Sequence, residues 1–387
     1  MKTIGEKPFA KDADGRLLSR IGTVFLRTPG LVTARAAHAL QRIMWIDCLN
    51  EERAAAGLPP MSEEEENAEI ENSVDLIFTD SLVLIRPDPD RMDLAVTTYL
   101  PHLKLLGEET TVVGLSGTSF VYDSLYNARI ADGLISDIGS DAAPDYERII
   151  SLAPDVVLAY GIAGGDNSYI HKLRALGVKV LVINDYLENH PLGRLEYIKL
   201  FGALTDKKSL ADSIFSSRSQ EYIKVKESCA EHISKSVKVL INMPFKDVWY
   251  VPGSENYTSL LIADAGGAIL GCVKGETVSS QESFEKMYTL GKEADVWINL
   301  NNFSTISGVV NENPLYKNLQ VVKEEKLFNN IKRSTKFGGS DFWEGGAVEP
   351  AEILKDLITI FHPDVAHSEF GERPMKYYLQ LNHAEGL

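Results

Sequence analysis

The chain has 387 residues, of which 44% are hydrophobic and 24% are charged, a composition typical of a globular protein with about two or three domains. Its formal net charge of −16 argues against nucleic-acid binding, because phosphate backbones demand a basic surface. The cysteines Cys48, Cys229 and Cys272 form no CxxC pair, so we expect neither a structural zinc site nor a disulfide framework. No apolar run reaches the roughly 18 residues of a membrane-spanning helix, and no secretory signal is recognisable.

The first 92 residues differ in pattern from the rest of the chain. Arg20–Ile46 has helical spacing of its apolar residues, and Asp75–Ile85 is predicted to be a strand or hairpin. A break rich in proline and aspartate follows at residues 86–90. We find no catalytic constellation in residues 1–92 and leave this segment unassigned, as either a genuine extra domain or a chimeric addition.

Strands alternate with helices from about residue 93 onward. Strands are predicted at Thr111–Leu115, Val156–Tyr160, Val178–Ile183, Val237–Met243, Val248–Val251, Ala294–Leu300 and Gln320–Val322. This alternation implies mostly parallel sheets that are covered by helices on both faces. A closing helix is predicted at Ala351–Phe361.

A long helical stretch separates the two sets of strands. Leu195–Ser234 is predicted to be helical, with a break near Thr205 and Asp206. The part from Lys207 to Ser234 would be about 42 Å long at about 1.5 Å per residue. The predicted fold is therefore α/β, with two Rossmann-like lobes at residues 93–190 and 236–387. The linking helices at residues 191–235 include the single long helix that joins the lobes.

A short pattern occurs once in each predicted lobe. The first copy spans Tyr146–Leu158 and the second Phe284–Ile298. In each copy an acidic residue opens a short helix, a Pro-Asp or Ala-Asp turn follows, and an apolar strand ends the pattern. Two similar α/β halves indicate a two-lobed clamp, and such a clamp usually closes on a ligand.

Several further segments, in their order and spacing, carry a family resemblance. They are Gly114–Gly117, Glu147–Ile149, Leu152–Asp155, Leu173–Gly177, Trp249–Gly253, Ala263–Gly267, Asp341–Glu344 and Pro350–Asp364. From about residue 94 to 380 the chain resembles the substrate-binding proteins of ABC importers for iron-siderophores, haem and vitamin B12, the class III periplasmic binding proteins. In this family the first strand of the first lobe would fall at Asp93–Val96.

The resemblance implies a binding protein and not an enzyme. It implies a monomer without a cofactor that captures a small-molecule metal-chelate or corrinoid between its lobes and delivers it to an ABC permease. A periplasmic location, or a lipoprotein on the outer face of the membrane, is implied as well. A rigid helix between the lobes would allow only a small closure on ligand binding.

Ligand-binding residues are predicted from the rule that ligands of open α/β sheets bind beyond the carboxyl ends of the strands. In the first lobe the candidates are Thr98, Tyr99, Ser116, Gly117, Tyr160 and Gly161. In the second lobe they are Phe245, Trp249, Tyr250, Asn301, Phe303, Lys336, Phe342 and Trp343. Aromatic and neutral polar groups suit a large, flat, partly apolar ligand such as a corrin, a porphyrin or a metal-chelate. Alternatively, Trp249, Phe342 and Trp343 are core aromatics.

Two acidic residues are candidates for docking on the permease. In the importer family a surface glutamate on each lobe meets an arginine pocket of the permease, and the matching positions are Glu147 and Glu285. Both residues also lie near a predicted helix start, where the helix dipole favours a carboxylate. A purely stabilising role is therefore the alternative.

Metal-binding and catalytic interpretations have less support. His102, His171 and His190 are scattered on predicted helices and linkers, so no direct metal-ion site is expected. The segment Gly161–Gly165 lacks the nucleotide-binding spacing, and no catalytic triad is recognisable. The alternatives that remain are a tetrapyrrole metal chelatase, which would need a base and metal ligand in the cleft, and an intracellular sensor or scaffold.

Overall fold

The computed structural model describes residues 98–140, 143–159, 168–183 and 185–383, with strand residues 82–84 and a few positions between 50 and 65. The predicted helix at Arg20–Ile46 lies outside these residues. The chain divides into two compact units. The first comprises the described residues up to Glu188 with Leu192–Ser216 and Thr335–Val348, and the second comprises Asn189–Pro191, Ser217–Ser334 and the described residues from Glu349 onward. No helix among the described residues combines the length and the apolar character needed to cross a bilayer.

The first unit is built on a five-stranded parallel sheet. Its strands are β1 (Leu82–Leu84), β2 (Val112–Leu115), β3 (Ser136–Asp137), β4 (Val156–Ala159) and β5 (Val180–Val182). Their order is β3-β2-β1-β4-β5, and each adjacent pair is parallel. All four residues of β4 are buried, as expected for a strand that is covered on both faces. The order reverses direction between β1 and β4, which is where open α/β sheets bind their ligands.

The sheet of the first unit begins earlier in the chain than predicted. Strand β1 pairs with β2 on one side and β4 on the other, and it lies before the expected lobe boundary at residue 93. The prediction of a strand or hairpin at Asp75–Ile85 is therefore confirmed for Leu82–Leu84, which belong to the sheet of the first unit and not to a separate N-terminal segment. The proline-rich break at residues 86–90 misled the assignment, because such a break also suits a connection within one domain. The expected strand at Asp93–Val96 lies outside the described residues.

Helices follow the strands of the first unit in βα order. They are α1 (Tyr99–Leu105), α2 (Ser124–Ala131), α3 (Tyr146–Ser151), α4 (Ser168–Ala175), α5 (Pro191–Glu196) and α6 (Ile198–Leu204). Aspartates cap two of them: Asp123 accepts hydrogen bonds from backbone N–H groups at the start of α2, and Asp145 does so at the start of α3.

The long helix α7 runs from Lys208 to Ala230 and passes from the first unit to the second between Ser216 and Ser217. Its 23 residues span about 35 Å. The predicted break before it is confirmed, since α6 ends at Leu204 and Asp206 has a φ of 57°. The helix is shorter than predicted because it ends at Ala230 and not at Ser234.

The second unit contains a five-stranded mixed sheet. Its strands are β6 (Val237–Ile241), β8 (Gly267–Ile269), β10 (Val296–Ile298), β11 (Leu327–Asn329) and β12 (Leu379–Gln380), in the order β12-β11-β10-β6-β8. Only β12 is antiparallel to its neighbour in this sheet. Strands β7 (Trp249–Val251) and β9 (Ser280–Glu282) form a separate antiparallel pair. The predicted α/β class with mostly parallel sheets is thus confirmed.

The helices of the second unit include one that was predicted to be a strand. They are α8 (Tyr257–Asp264), α9 (Phe284–Gly291), α10 (Ile306–Glu312), α11 (Gln320–Lys323), α12 (Pro350–Phe361) and α13 (Pro363–Phe370). The strand prediction at Gln320–Val322 is wrong, because these residues form α11 and the strand follows at Leu327–Asn329. A short apolar run such as Val321–Val322 suits either structure, and periodicity does not separate them.

A segment near the C-terminus belongs to the first unit, although it was predicted to be part of the lobe at residues 236–387. It comprises Thr335–Val348. Glu344 is 1% exposed, and its two carboxylate oxygens accept hydrogen bonds from the backbone N–H groups of Tyr122 and Asp123 at 3.0 and 2.9 Å. Gly339 lies so close to the Phe120 backbone that a methyl group on its Cα would overlap the Phe120 carbonyl oxygen. The other predicted domain boundaries stay predictions.

Glu349 of the second unit should make the stability of the protein depend on pH. Burial raises the pKa of Glu349, but hydrogen bonds from Lys376 and from the Tyr377 hydroxyl, the latter 2.6 Å long, outweigh it and leave the pKa below its ordinary value. A carboxylate whose pKa is lower in the folded state than in the unfolded state stabilises the fold at pH values above its ordinary pKa. This contribution is lost as the pH falls through the folded-state pKa.

We therefore expect Glu349→Gln to lower the free energy of unfolding at pH 7, and the difference from the wild type to shrink below about pH 4. Urea unfolding at several pH values measures this difference. Glu227→Gln, on the exposed face of α7, is the control and should change little at any pH. A difference that is the same at pH 7 and at low pH would show that the Glu349 charge does not stabilise the fold.

Candidate functional site

The second unit has a pocket of about 640 Å³ at the carboxyl ends of β6 and β10. The residues after β6 and after β10 supply part of its wall, and the start of α9 and the end of α10 supply the rest. Its lining residues are Met243, Pro244, Lys246, Asp247, Ser283, Phe284, Glu285, Asn301, Phe303, Glu312, Asn313 and Tyr316. This edge of a parallel sheet is where the sequence predicted ligand binding.

Three asparagines shape the loops at this edge. Asn242 follows β6, and Asn299 and Asn301 follow β10, with φ values of 61°, 59° and 48°. Asparagine tolerates this left-handed conformation better than most residues, so it can turn the chain sharply at the end of a strand. The Asn242 side chain donates a hydrogen bond to the Tyr250 carbonyl at 2.9 Å, and the Asn299 side chain accepts one from the Tyr378 hydroxyl at 3.0 Å.

A buried asparagine at the end of β11 fixes the loop that follows β10. Asn329 is 0% exposed, and its amide oxygen accepts hydrogen bonds from the backbone N–H groups of Leu300 and Asn330 at 2.9 and 3.0 Å. Its amide nitrogen donates to the carbonyl oxygens of Asn301 and Phe303 at 3.0 and 2.8 Å. The side chain thus uses both of its donors and both sides of its acceptor. It holds the two pocket residues Asn301 and Phe303 in place.

Trp249 lies in the core of the second unit and not at the pocket surface, so the core-aromatic alternative is correct for this residue. It is fully buried, and its indole N–H donates to the Ile241 carbonyl at 2.8 Å. Its ring stacks on Trp297 at a centroid distance of 6.0 Å. Tyr316 packs edge-on against Trp297 at a centroid distance of 5.0 Å. The Tyr316 ring also lies 5.9 Å from the ring of Phe284, and both residues line the pocket. The core aromatics therefore support the apolar wall of the pocket.

The structure brings two of the predicted ligand residues into this pocket and places two others on a neighbouring hairpin. Asn301 is exposed at the pocket and Phe303 is half-buried in its wall. Phe245 and Tyr250 are 48% and 39% exposed, and the turn that follows Phe245 has positive φ values at Lys246 and Asp247. All four residues keep their predicted role as candidates.

Three of the four described candidates that were predicted for the first lobe lie inside the fold of the first unit. Thr98, Tyr99 and Ser116 are at most 4% exposed. The Thr98 hydroxyl donates to Asp185 at 2.8 Å, and the Tyr99 hydroxyl donates to the Ile183 carbonyl at 3.1 Å, just after β5. These hydroxyl groups therefore serve internal hydrogen bonds. Gly117 follows β2 with a φ of 63°, and Tyr160 and Gly161 lie outside the described residues.

The remaining candidates, Lys336, Phe342 and Trp343, belong to the first unit and not to the second. Lys336 is exposed, and its ammonium group lies 4.8 Å from the ring centroid of Phe337. Phe342 is 5% exposed and packs edge-on against the half-buried Trp343 at 4.7 Å. Phe342 is therefore a core aromatic, which agrees with the alternative interpretation of the sequence, whereas the Trp343 side chain is partly exposed.

Charged and polar side chains gather in the interior of the first unit. Asp185 and Arg194 are 2% and 6% exposed. Burial raises the pKa of Asp185, and the Arg194 charge and the Thr98 hydrogen bond oppose this shift. His102 is also buried, with its ring nitrogens 2.8 and 3.0 Å from the carbonyl oxygens of Thr98 and Arg194. This histidine therefore packs inside the unit.

The two candidate docking acids occupy equivalent positions. Glu147 and Glu285 are each the second residue of a helix, α3 and α9, and both are exposed. The Asp145 side chain caps α3 by accepting from the Arg148 N–H at 2.9 Å, and the Ser283 hydroxyl caps α9 by accepting from the Lys286 N–H at 3.2 Å. The repeated sequence pattern thus produces the same local geometry twice. Glu285 also lines the pocket of the second unit.

Sequence reasoning missed several residues of this site. Tyr316, Glu312 and Asn313 come from the end of α10 and the turn after it, which lie far from the strand ends in sequence. The pair Asn313-Pro314 was an available signal, because asparagine before proline is typical of a helix start. Asn329 was missed because a polar residue that ends a short apolar strand is usually exposed.

Comparison with known proteins gives related sequences and related folds. The chain is 28% identical over 316 residues to an uncharacterized lipoprotein of Methanocaldococcus jannaschii, a match that covers 78% of this chain and 71% of that protein. It is 21% identical over 210 residues to the iron-uptake system-binding protein of Bacillus subtilis, covering 52% of this chain and 63% of that protein. A periplasmic haem-binding protein of Pseudomonas aeruginosa has a similar fold, with a TM-score of 0.54 and 15% sequence identity over 74% of this chain and 94% of that one.

A family model agrees with the fold and with the resemblance seen in the sequence. The model for periplasmic binding proteins matches residues 95–330, more than half of the chain. Since this family consists of the substrate-binding proteins of transporters, the prediction that the chain is a binding protein is confirmed. The chain belongs to the periplasmic binding protein family.

Proposed function

We propose that this chain is the substrate-binding component of an ABC importer and that its cargo is an iron-siderophore, haem or a corrinoid. The observation that carries the proposal is the pocket at the carboxyl ends of β6 and β10 in a chain of this family. Its aromatic wall offers apolar contact, and Asn301 and Asn313 offer polar groups that can orient a chelate. The names of an iron-uptake relative and of a haem-binding structural neighbour agree with this class of cargo.

The proposed place of action is the outer face of the membrane. A relative at 28% identity is named a lipoprotein, which agrees with the location that the sequence resemblance implied. We propose capture and delivery without a catalytic step and with the chain acting as a monomer. A chelatase would need a base and metal ligand at its site, commonly a histidine with a glutamate, and none of the residues that line the pocket is a histidine.

Thermal unfolding of the full chain in the presence of each candidate cargo tests this function. A ligand that binds only the folded state stabilises it by about 2.7 kcal/mol when its concentration is 100 times its dissociation constant. Cobalamin, haem and several ferric siderophores form the panel, and we expect one class to raise the unfolding midpoint. No shift with any of them would contradict the proposal, and insertion of a metal into a porphyrin would favour the chelatase instead.

The proposed docking surface makes a separate prediction. We expect Glu147→Gln and Glu285→Gln each to weaken the binding of the loaded chain to permease vesicles about 3- to 10-fold, because each removes one charge of an ion pair. Glu147→Gln should leave cargo affinity unchanged, whereas Glu285 also lines the pocket, so vesicle binding of Glu285→Gln is compared at saturating cargo. Glu227→Gln, an exposed change on α7, is the matched control. Unchanged vesicle binding by both variants would assign Glu147 and Glu285 to helix stabilisation alone.

A further inference from the structure

Acidic side chains surround the pocket of the second unit. Asp247, Glu285 and Glu312 line it, and Lys246 is the basic residue among its lining residues. None of the three acids has an ion pair or hydrogen bond with another described residue. Their negative charge is therefore not neutralised within the part of the chain that the structure describes.

Lys246 does not cancel this charge. Its ammonium group lies 5.1 Å from the ring centroid of Phe245, on the exposed hairpin turn, and it makes no ion pair with a described residue. Glu312, in contrast, acts directly on the pocket wall. Together with burial, its carboxylate raises the pKa of the Tyr316 hydroxyl. One basic group against three acidic ones leaves the pocket with a formal charge of −2.

The shape of the site increases the effect of this charge. A concave surface with low-dielectric walls focuses the electric field, and here the walls include Phe284, Phe303 and Tyr316. An anionic group that enters would meet repulsion that is less screened than on an open surface. A cationic group would gain attraction, and its apolar stem would contact the aromatic rings.

We infer that this pocket selects cargo by charge: it accepts a cationic or neutral metal-chelate and disfavours an anionic one of the same size. The inference rests on the proposed function and specifies its substrate class. Among the candidate cargoes it favours amine-bearing hydroxamate siderophores and corrinoids over haem, whose propionates are negative, and over catecholate chelates.

Two probes of equal size test the selection. The first is a ferric linear trihydroxamate whose terminal amine is acylated with β-alanine, which gives it a positive charge, and the second is the same chelate succinylated at that amine, which has a negative charge. We expect the full chain to bind the cationic form about 10-fold or more tightly than the anionic form. The double variant Asp247→Asn, Glu312→Gln should reduce that ratio at least about 3-fold.

A control variant and a chemical probe complete the experiment. Glu293→Gln removes an acidic residue just before β10, at the opposite end of that strand, and should leave the ratio unchanged. Cysteine labelling with a cationic and an anionic methanethiosulfonate gives a ratio of the two reaction rates at each site. We expect this cationic-to-anionic ratio to be about 3-fold or more higher in an Asn301→Cys variant than in a Ser151→Cys control, whose cysteine lies at an exposed position of α3. This second readout does not require a known cargo.

The outcomes separate the two proposals. Equal affinity for both chelates, or equal reagent ratios at the two cysteines, would overturn the charge selection and leave the proposed function standing. If neither hydroxamate binds, haem and cobalamin are compared. Tighter binding of haem would overturn the charge selection, and tighter binding of cobalamin would support it. Failure of every cargo in the thermal panel would refute the proposed function itself.

Discussion

Replacing Asn329 by leucine is expected to lower the free energy of unfolding by about 3–5 kcal/mol. The substitution keeps the size of the side chain but leaves two N–H groups and two carbonyl groups without their partners at a buried position. Each unsatisfied buried group costs about 1–3 kcal/mol, and partial relaxation of the loop reduces the sum. Urea unfolding of the purified variant measures this loss.

The isosteric change Asn329→Asp separates hydrogen bonding from packing. Aspartate retains the acceptor for Leu300 and Asn330 but presents an oxygen to the carbonyl groups of Asn301 and Phe303. We expect it to destabilise the protein and to weaken cargo binding through these two pocket residues. Asn318→Asp, at the exposed end of a turn in the same unit, is the control. Wild-type stability of Asn329→Asp would show that the two hydrogen bonds donated by the Asn329 amide do not fix the loop.

Glu344→Ala is expected to destabilise the protein by about 2–4 kcal/mol. The Glu344 carboxylate is buried and accepts from two backbone N–H groups, which attach residues 335–348 to the loop that precedes α2. Hydrogen bonds to a charged group contribute about 1.5–3 kcal/mol each, and the alanine also leaves a cavity. Denaturant unfolding followed by circular dichroism measures the effect.

A charge-matched control accompanies this variant. Asp132→Asn removes one negative charge from the exposed C-terminal end of α2 and should change stability by less than about 0.5 kcal/mol. The loss of stability in Glu344→Gln should lie between those of Asp132→Asn and Glu344→Ala. The glutamine amide keeps one acceptor but presents an N–H group to the second backbone donor. An unfolding curve of Glu344→Ala that coincides with that of the wild type would contradict the proposed attachment.

The alternation of strands and helices predicted the α/β class, and it did so because buried parallel strands have a strong apolar signature. Val156–Ala159 is an example, with every residue buried in the structure. Sequence could not place Leu82–Leu84 in the middle of the first sheet, because local pattern does not show which strands become neighbours. It could not assign residues 335–348 to the first unit either, because that depends on the contacts of Glu344 and Gly339 with Tyr122 and Phe120.

The site was predicted in part. The rule for strand ends located Asn301 and Phe303, because both follow the last residues of an apolar strand. It also selected Trp249, which lies on a strand of the separate two-stranded sheet and points into the core. The acids Asp247 and Glu312 were missed, since a charged residue in a loop is usually only solvated. Their importance appears only when the fold gathers them around one pocket.

Calorimetric titration of the full chain with the cargo that raises its unfolding midpoint tests the central claim most directly. The account predicts binding of one ligand per chain, and a loss of about 10-fold or more in affinity for Phe303→Ala, which removes an aromatic wall of the pocket. Phe370→Ala, on α13 and not among the pocket residues, should have a much smaller effect. Absence of binding heat with every metal-chelate and corrinoid, or binding that Phe303→Ala leaves unchanged, would contradict the account.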